Sequence, residues 1–382
     1  MRRLAFIAAL VAAVAAACSE PPPPATPYTP APTAPAAPEL PTRAISLKDA
    51  GLDAASMDKS ANACTDFYQL ACGTMLKNTE IPGEEAAWGP AYELQRHTEE
   101  FLRDTLEKAA KAPGDDPVAK KLGAFYGACM NEGAAEQAGV KPLKPLFAVV
   151  EKVRDRKTLY AAITELHKHR IWPLFDASSQ QDFKDATLVI AGLDQDGLGL
   201  PDRDYYLDQD PKTKEHRAFY EAHVERMFAL AGDSAASAKK KAADVMRIET
   251  AAAKLAQDKV VRRDPYKVYN KVDRKGLAAA APGFAWDAYF AGLGFPDVKD
   301  VSINSVEYFK GIDALMTAEK PDAWQSYLRW KVLESQGSRL SRAFVDERFK
   351  LRRDLTGQKE LTVRWKRCVR ATDASLGELL AQ

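Results

Sequence analysis

Beyond residue 45, apolar side chains recur at helical spacing. Val118, Leu122, Phe125 and Cys129 are separated by four, three and four positions, and Val245, Ile248, Ala252 and Leu255 by three, four and three. Both runs place their apolar residues on one face of an α-helix. Phe101, Leu102 and Leu106 follow the acidic pair Glu99-Glu100 in a further amphipathic stretch. Pro321-Asp322 opens another, which carries Trp324, Tyr327, Leu328 and Leu333; proline suits a first helical turn because its missing N–H has no partner there anyway. Strand-like alternation is rare, and residues 187–191 are the best short candidate. Breaker pairs separate the helical runs at Pro82-Gly83, Pro113-Gly114, 197–201, Pro282-Gly283 and 294–296. No fixed-period repeat is present. The pattern predicts a mainly α protein.

The N-terminus has a different character. Arg2 and Arg3 precede an unbroken apolar run at 4–17, too short for a comfortable transmembrane helix and suited to a signal peptide over residues 1–17. The run ends Ala15-Ala16-Ala17-Cys18, which resembles a bacterial lipobox. Cys18 is therefore the expected lipidation site, with plain secretion after an A-x-A cleavage as the alternative. Residues 18–45 form a linker in which ten of the chain's 23 prolines fall between Pro21 and Pro41. Such a segment cannot bury a core and prefers extended polyproline geometry at ~3.1 Å per residue. The expectation is an exported protein, a periplasmic or outer-membrane lipoprotein held to a membrane by its lipid, or else a secreted one. A proline-rich ligand for another protein is the rival reading of the linker.

The whole sequence is 46% hydrophobic and 28% charged, the composition of an ordinary globular chain, and the formal charge of +1 provides no basic field for nucleic acid. With Cys18 set aside, Cys64, Cys72, Cys129 and Cys368 remain, an even number suited to an oxidising compartment. Four cysteines allow three pairings, and spacing alone does not choose among them. Cys64 and Cys72 are eight positions apart. On one helix they would share a side about 12 Å apart, too far to bond each other.

Candidate chemistry is sparse. A zinc-peptidase helix needs two histidines at i and i+4, and none of His97, His167, His169, His216 and His223 provides that pair. His216 and His223 could share a helix face with Glu225 nearby, but ordinary packing is the better reading. No nucleophile elbow, phosphate-binding loop or dinucleotide fingerprint occurs, and Gly197 and Gly199 do not make one. Asp194, Asp196, Asp202 and Asp204 read as a solvated turn, and Lys239, Lys240 and Lys241 as a solvated helix face. No residue is assigned to catalysis or to a metal.

Longer motifs carry a family resemblance. The run Asn-Ala-Cys-Thr-Asp-Phe-Tyr-Gln-Leu-Ala-Cys-Gly at 62–73 resembles the opening motif of the neprilysin and endothelin-converting-enzyme family of zinc metallopeptidases. In order follow Leu76-Lys77-Asn78, Ile81-Pro82, Trp88-Gly89, Phe-Tyr-Gly-Ala-Cys-Met-Asn-Glu at 125–132 and Gly-Leu-Pro-Asp-Arg-Asp-Tyr-Tyr-Leu at 199–207. Arg-Asp-Pro-Tyr-Lys-Val-Tyr-Asn-Lys at 263–271, Tyr308-Phe309, Tyr327-Leu328-Arg329-Trp330 and Arg364-Trp365-Lys366-Arg367-Cys368-Val369 complete the series. The resemblance spans 46–382.

It implies a two-lobed, mainly helical fold around a cavity that admits peptides. Residues 46–111 would contribute to the catalytic lobe and linkers, 112–357 would form the helical cap lobe, and 358–382 would begin the return. The family's H-E-x-x-H helix, its downstream glutamate ligand and its Asn-Ala substrate motif occur nowhere in this sequence. The expectation is a truncated or split peptidase, with no zinc site of its own, inactive unless a separately encoded catalytic half is supplied. The alternative is a non-enzymatic, lipid-anchored module that binds peptides or a partner protein. The family pattern also pairs Cys129 with Cys368 and leaves Cys64 and Cys72 unpaired, their partners lying in the missing half. An apolar face would then be exposed beside Cys64 and Cys72 and at 376–380. Ala87 stands where well-known members carry an arginine for the substrate carboxylate.

Overall fold

The structure is a computed structural model that describes residues 53–381. The expected signal peptide, Cys18, the expected linker and the first residues of the 46–111 segment lie outside the described residues. The described residues divide into two units, one ending at Thr79 and the other beginning at Glu80.

In the first unit, helix α1 spans Phe67–Asn78. Asp66 caps it by accepting from the Gln69 amide at 2.8 Å, the usual way to satisfy a free helical N–H. Just upstream, the Asn62 side chain accepts from the Cys64 amide at 2.9 Å, and the Asp66 amide donates to the Asn62 carbonyl. These local bonds close a turn that competes with helix. Cys64 therefore precedes the helix, whereas Cys72 lies within it, so the expected single helix face carrying both thiols is corrected. Both thiols are free. Asp58 bonds Gln69 at 3.0 Å, and the Thr74 hydroxyl donates to the Met57 carbonyl at 2.8 Å; these contacts hold 57–60 to the helix. Phe67 and Tyr68 are 69% and 63% exposed.

The second unit is built on helices α2 (Pro90–Lys111), α3 (Pro117–Met130), α4 (Arg156–Lys168), α5 (Pro211–Leu230), α6 (Ala235–Leu255), α7 (Val306–Ala318), α8 (Pro321–Gln336), α9 (Arg342–Thr356) and α10 (Arg364–Leu380). Shorter helical turns connect them. The large core centres on α6, which buries Val245, Ile248, Ala252 and Ala253 and packs against α5, α7 and α8. The α8 stripe is buried as its spacing predicts, with Trp324, Tyr327, Leu328 and Leu333 all at 1% exposure or less. Helix α2 begins well before the Glu99-Glu100 pair, because Pro90 supplies the first turn; Glu99 sits mid-helix, buried and bonded to Arg370 at 2.6 Å.

A four-stranded sheet, order β1-β2-β4-β3, covers one side of this core. It contains β1 (Phe175–Gln181), β2 (Val189–Gln195), β3 (Lys271–Val272) and β4 (Val301–Ile303). β1 and β2 are antiparallel with Phe175 opposite Gln195, and β2 runs parallel to β4. The 187–191 expectation falls on the start of β2. β1 reads Phe-Asp-Ala-Ser-Ser-Gln-Gln and carries no apolar alternation, since only Phe175 is fully buried.

A second, smaller core forms where α2, α3 and α10 meet: Leu106, Leu122, Tyr126, Cys368 and Val369. α2 and α3 approach closely at Gly123, where a Cβ would lie 2.2 Å from the Ala109 carbonyl oxygen. Cys129 of α3 and Cys368 of α10 form a disulfide in this core. The C-terminal leucines Leu376, Leu379 and Leu380 pack against it and are partly buried. The exposed C-terminal face expected at 376–380 is therefore corrected. Among the described residues, no helix is long and apolar enough to cross a membrane.

Candidate functional site: an arginine-lined cavity between two cores

The helices leave a cavity of about 830 Å³ between the large and small cores. Its formation begins with α9. That helix ends at Gly357, which adopts φ 74° and donates its N–H to the Arg353 carbonyl. Glycine takes this left-handed cap without a Cβ penalty. The chain then reverses into 358–363. There the Lys359 and Glu360 amides donate to the Gly83 carbonyl at 3.0 and 2.7 Å. The buried Gln358 amide donates to the Glu84 and Glu360 carbonyls at 2.8 and 2.7 Å. α10 starts immediately afterwards, and α9 and α10 both line the cavity. Residues of α3 and α8, His223 of α5, and Gly199 and Pro201 also line it.

The wall is largely apolar, with Phe125, Trp330, Phe349, Leu351, Leu355 and Leu361. This accounts for the α3 stripe: Leu122 points into the small core, while Phe125 and Cys129 face the cavity. The polar component is cationic. Arg339, Arg348, Arg352, Arg364, Arg367 and Arg370 line the space, and Glu334 is the carboxylate among the lining residues. Glu334 is already paired with Lys331. Arg370 is neutralised by Glu99 and Glu85 at 2.6 and 3.0 Å, and Arg364 by Glu132 at 3.3 Å. Arg364 also donates to the Cys129 carbonyl at 2.7 and 3.0 Å, which ties α10 to the end of α3.

Below the floor lies a buried polar network. Glu249 of α6 is fully buried and accepts from the Tyr206 hydroxyl at 2.6 Å and the Tyr220 hydroxyl at 3.1 Å. Tyr206 receives the Gly199 and Leu200 amides at 3.1 and 3.0 Å, and Tyr220 receives the Trp330 indole N–H at 2.8 Å. Burial pushes the Glu249 carboxyl up to about 7; the nearby Lys331 ammonium opposes this shift and Glu334 adds to it. The 199–207 motif thus has a structural task, because its Tyr206 anchors the loop that carries Gly199 and Pro201 to the cavity.

Other residues singled out in the sequence are absorbed by packing. His223 is buried in the α5–α9 seam and contacts Glu347 at 3.0 Å, and Arg226 and Lys350 join the same carboxylate at 2.7 and 3.0 Å. Burial alone would raise Glu347, but these three donors outweigh it and hold the carboxyl down at about 2. Burial lowers His223. His216 contacts Asp354 at 2.7 Å. The aspartates at 194–204 are more than a solvated turn: Asp194 pairs with Arg262 at 2.5 Å, Asp202 and Asp204 pair with Lys259 at 3.4 and 3.0 Å, and burial raises Asp196. Lys241 is likewise half-buried against Asp233 rather than on a solvated face. Ala87 is not among the residues walling the cavity.

The arginines escaped the sequence reading. Arg348 and Arg352 at i, i+4, and Arg364, Arg367 and Arg370 at i, i+3, i+6 were the available signal. Among the described residues, no three His, Cys, Asp or Glu side chains are arranged to hold a metal ion. The residues present therefore do not fit a zinc site.

The fold and motif order define the helical N-terminal lobe of a neprilysin-like peptidase. The chain matches the model for the N-terminal part of peptidase family M13 over residues 63–382, and it belongs to that family. It is 27% identical over 337 residues to rat (Rattus norvegicus) endothelin-converting enzyme 1, covering 84% of this chain and 43% of the relative. It is 25% identical over 341 residues to the endothelin-converting enzyme homolog of Locusta migratoria, covering 84% and 47%. The zinc metalloprotease ZMP1 of Mycobacterium tuberculosis, solved with an inhibitor, superposes with a TM-score of 0.80 at 29% identity, over 86% of this chain and 51% of that one. PepO from Lactobacillus rhamnosis HN001 shares the fold with a TM-score of 0.69 at 16% identity, over 84% and 51%. The chain thus spans about half or less of each.

Proposed function

We propose that this chain supplies the N-terminal, cavity-capping part of a neprilysin-like zinc metalloendopeptidase, and that residues 1–382 do not hydrolyse peptides unless a zinc-bearing half is provided. The family match over 63–382 is the observation that carries this reading. Two further facts support it: the sequence contains no H-E-x-x-H, and the described residues offer no metal cluster. A catalytic zinc requires three protein ligands and an open position, an arrangement not found among the described residues. In the proposed enzyme the helical lobe restricts which peptides reach the chemistry, residues 46–111 and 358–382 join the two lobes, and Cys64 and Cys72 are available for pairing with the other half. Export as a periplasmic or outer-membrane lipoprotein anchored through Cys18, or else secretion, completes the reading.

The test is reconstitution. The chain is mixed with a separately expressed zinc-bearing half of a family member, and cleavage of a quenched fluorescent peptide is followed. Activity that needs both parts and is lost on chelation supports the proposal. Hydrolysis by scrupulously purified chain alone, or an inert mixture, overturns it. A second reading, a lipid-anchored module that binds peptides without cutting them, is favoured by one observation: the cavity has largely apolar and cationic walls, and the described residues hold no metal-ligand cluster.

A further inference from the structure

We propose that the cavity between α9 and α10 is a binding site for a short acidic peptide segment with apolar side chains beside its carboxylates. This rests on and deepens the second reading above by naming the peptide class; binding needs no catalytic half. The argument begins with charge. Arg339, Arg348, Arg352 and Arg367 line the cavity, and among the described residues none of them has an ion-pair partner within salt-bridge distance. Their protein contacts are neutral: Arg339 donates to the Gln336 side-chain oxygen at 3.1 Å, Arg348 to the Glu334 carbonyl and Arg367 to the Thr362 carbonyl at 3.0 Å. Among the described residues, the Arg352 guanidinium has no hydrogen-bond partner.

Crowding these cations costs free energy. Burial pushes the Arg348 guanidinium down, Glu334 opposes this and neighbouring Arg352 adds to it; burial does the same at Arg367, with Arg364 and Arg342 adding and Glu132 and Asp346 opposing. Guanidinium does not relieve this by losing its proton at accessible pH. A cationic cluster in a partly desolvated site is relieved instead by an anion with matching geometry, and a carboxylate takes the guanidinium fork bidentately.

The apolar walls select among anions. Phe125, Phe349, Leu351, Leu355 and Leu361 have nothing to offer a hydrated inorganic ion. A volume of about 830 Å³ falls in the range of ligand pockets, ~300–1,000 Å³. That is room for a few residues of peptide, whose aliphatic or aromatic side chains would cover the walls while acidic ones meet the arginines.

The experiment uses the full chain and fluorescence anisotropy. The probe is a labelled pentapeptide alternating glutamate with leucine; its glutamine counterpart and inorganic phosphate are the comparison arms. The acidic peptide is expected to bind, and raised salt should weaken it. The glutamine peptide should bind at least tenfold more weakly, and phosphate should not compete at peptide concentrations. Arg352→Gln and Arg367→Gln should each weaken binding about tenfold or more, the loss expected for a charged hydrogen bond. Lys239→Gln, on the exposed side of α6, should change nothing. Circular dichroism checks that each variant is folded. Arg352→Glu extends the test: it should lose the glutamate peptide and favour a lysine–leucine peptide. Equal binding of the glutamine peptide, competition by phosphate at equal concentration, or insensitivity to Arg352 and Arg367 would each overturn the proposal.

Discussion

The ionisation of Glu249 offers a sharp test of how the cavity floor is built. Its carboxyl is fully buried and held by the Tyr206 and Tyr220 hydroxyls at 2.6 and 3.1 Å. Burial pushes it from an ordinary 4.5 up to about 7. The folded state therefore binds a proton that the unfolded state has released between pH 4.5 and 7. In that window the unfolded chain carries fewer protons than the folded one, so stability falls as pH rises. Each pH unit costs the folded state ~1.4 kcal/mol, and the full window gives a loss on the order of 3 kcal/mol. The stabilisation is complete below pH 4.5 and lost by the time the pH has passed about 7. Other groups titrate too, so the informative quantity is a difference. Glu249→Gln keeps an acceptor oxygen for the tyrosines and cannot ionise. Guanidinium unfolding of wild type and Glu249→Gln should be followed at intervals from pH 4 to pH 8. The variant should gain on the wild type as pH rises, by on the order of 3 kcal/mol in total, with a plateau at each end. A flat difference would show that Glu249 does not titrate in this range. A wild type that gains on the variant with rising pH would show that the carboxylate is favoured by Lys331 beyond its burial cost. Either result refutes the account of the network.

Three further outcomes follow from the same geometry. Replacing both Cys129 and Cys368 with alanine should destabilise the chain by about 2–5 kcal/mol, because the bridge closes a loop with a sequence separation of 239; chemical denaturation with and without reductant measures it, and an unchanged midpoint would deny the bridge a stabilising role. Gly123→Ala should lower the thermal midpoint, with a cost of about 1–3 kcal/mol, since the new methyl meets the Ala109 carbonyl oxygen at 2.2 Å and the two helices must separate; a neutral result would mean that α2 and α3 shift apart freely. Glu347→Gln should weaken the α5–α9 seam by about 1–3 kcal/mol at neutral pH. Glu347 is held at about 2 in the fold, against 4.5 ordinarily, so its contribution is present above pH 4.5 and disappears as pH falls toward 2. A penalty that persists below pH 2 would point to packing rather than charge.

The sequence exposed those parts of the fold that depend on one-dimensional periodicity. The stripe on α8 is buried where its spacing put it, and that on α6 is buried at Val245, Ile248 and Ala252 and partly buried at Leu255, because a helix face that meets a core must repeat every three or four residues. β1 was invisible for the converse reason. It is an edge strand with one fully buried side chain, and its pairing with β2 rests on backbone bonds that any sequence can make. Cys64 was drawn into a helix by its spacing from Cys72; two side-chain bonds, from Asn62 and Asp66, stop that helix three residues later. Acidic and basic residues were the least legible. Asp194 and Arg262 are far apart in the chain, as are Glu347 and His223, so nothing local marks either as a partner.

The cavity follows from the same non-local logic. Arg348 and Arg352 look like a solvated helix face when α9 is considered alone, and Arg364, Arg367 and Arg370 look the same on α10. Their meaning comes from the reversal at Gly357, which turns the second helix back toward the first and aims both sets of cations into one space. Two of the five find partners there: Arg364 reaches Glu132, and Arg370 reaches Glu85 and Glu99. Those pairs hold α10 to the segment just past α3 and to α2 and the residues before it, which is the work of building the wall. Among the described residues, Arg348, Arg352 and Arg367 have no carboxylate within ion-pair distance. Had the cluster served only to cement the helices, mutual repulsion would favour replacing these three with neutral residues, because the wall is already fixed by the disulfide, the Gln358 bonds and the two neutralised arginines. An unneutralised set of cations on an already rigid frame is the arrangement that binding an anion requires.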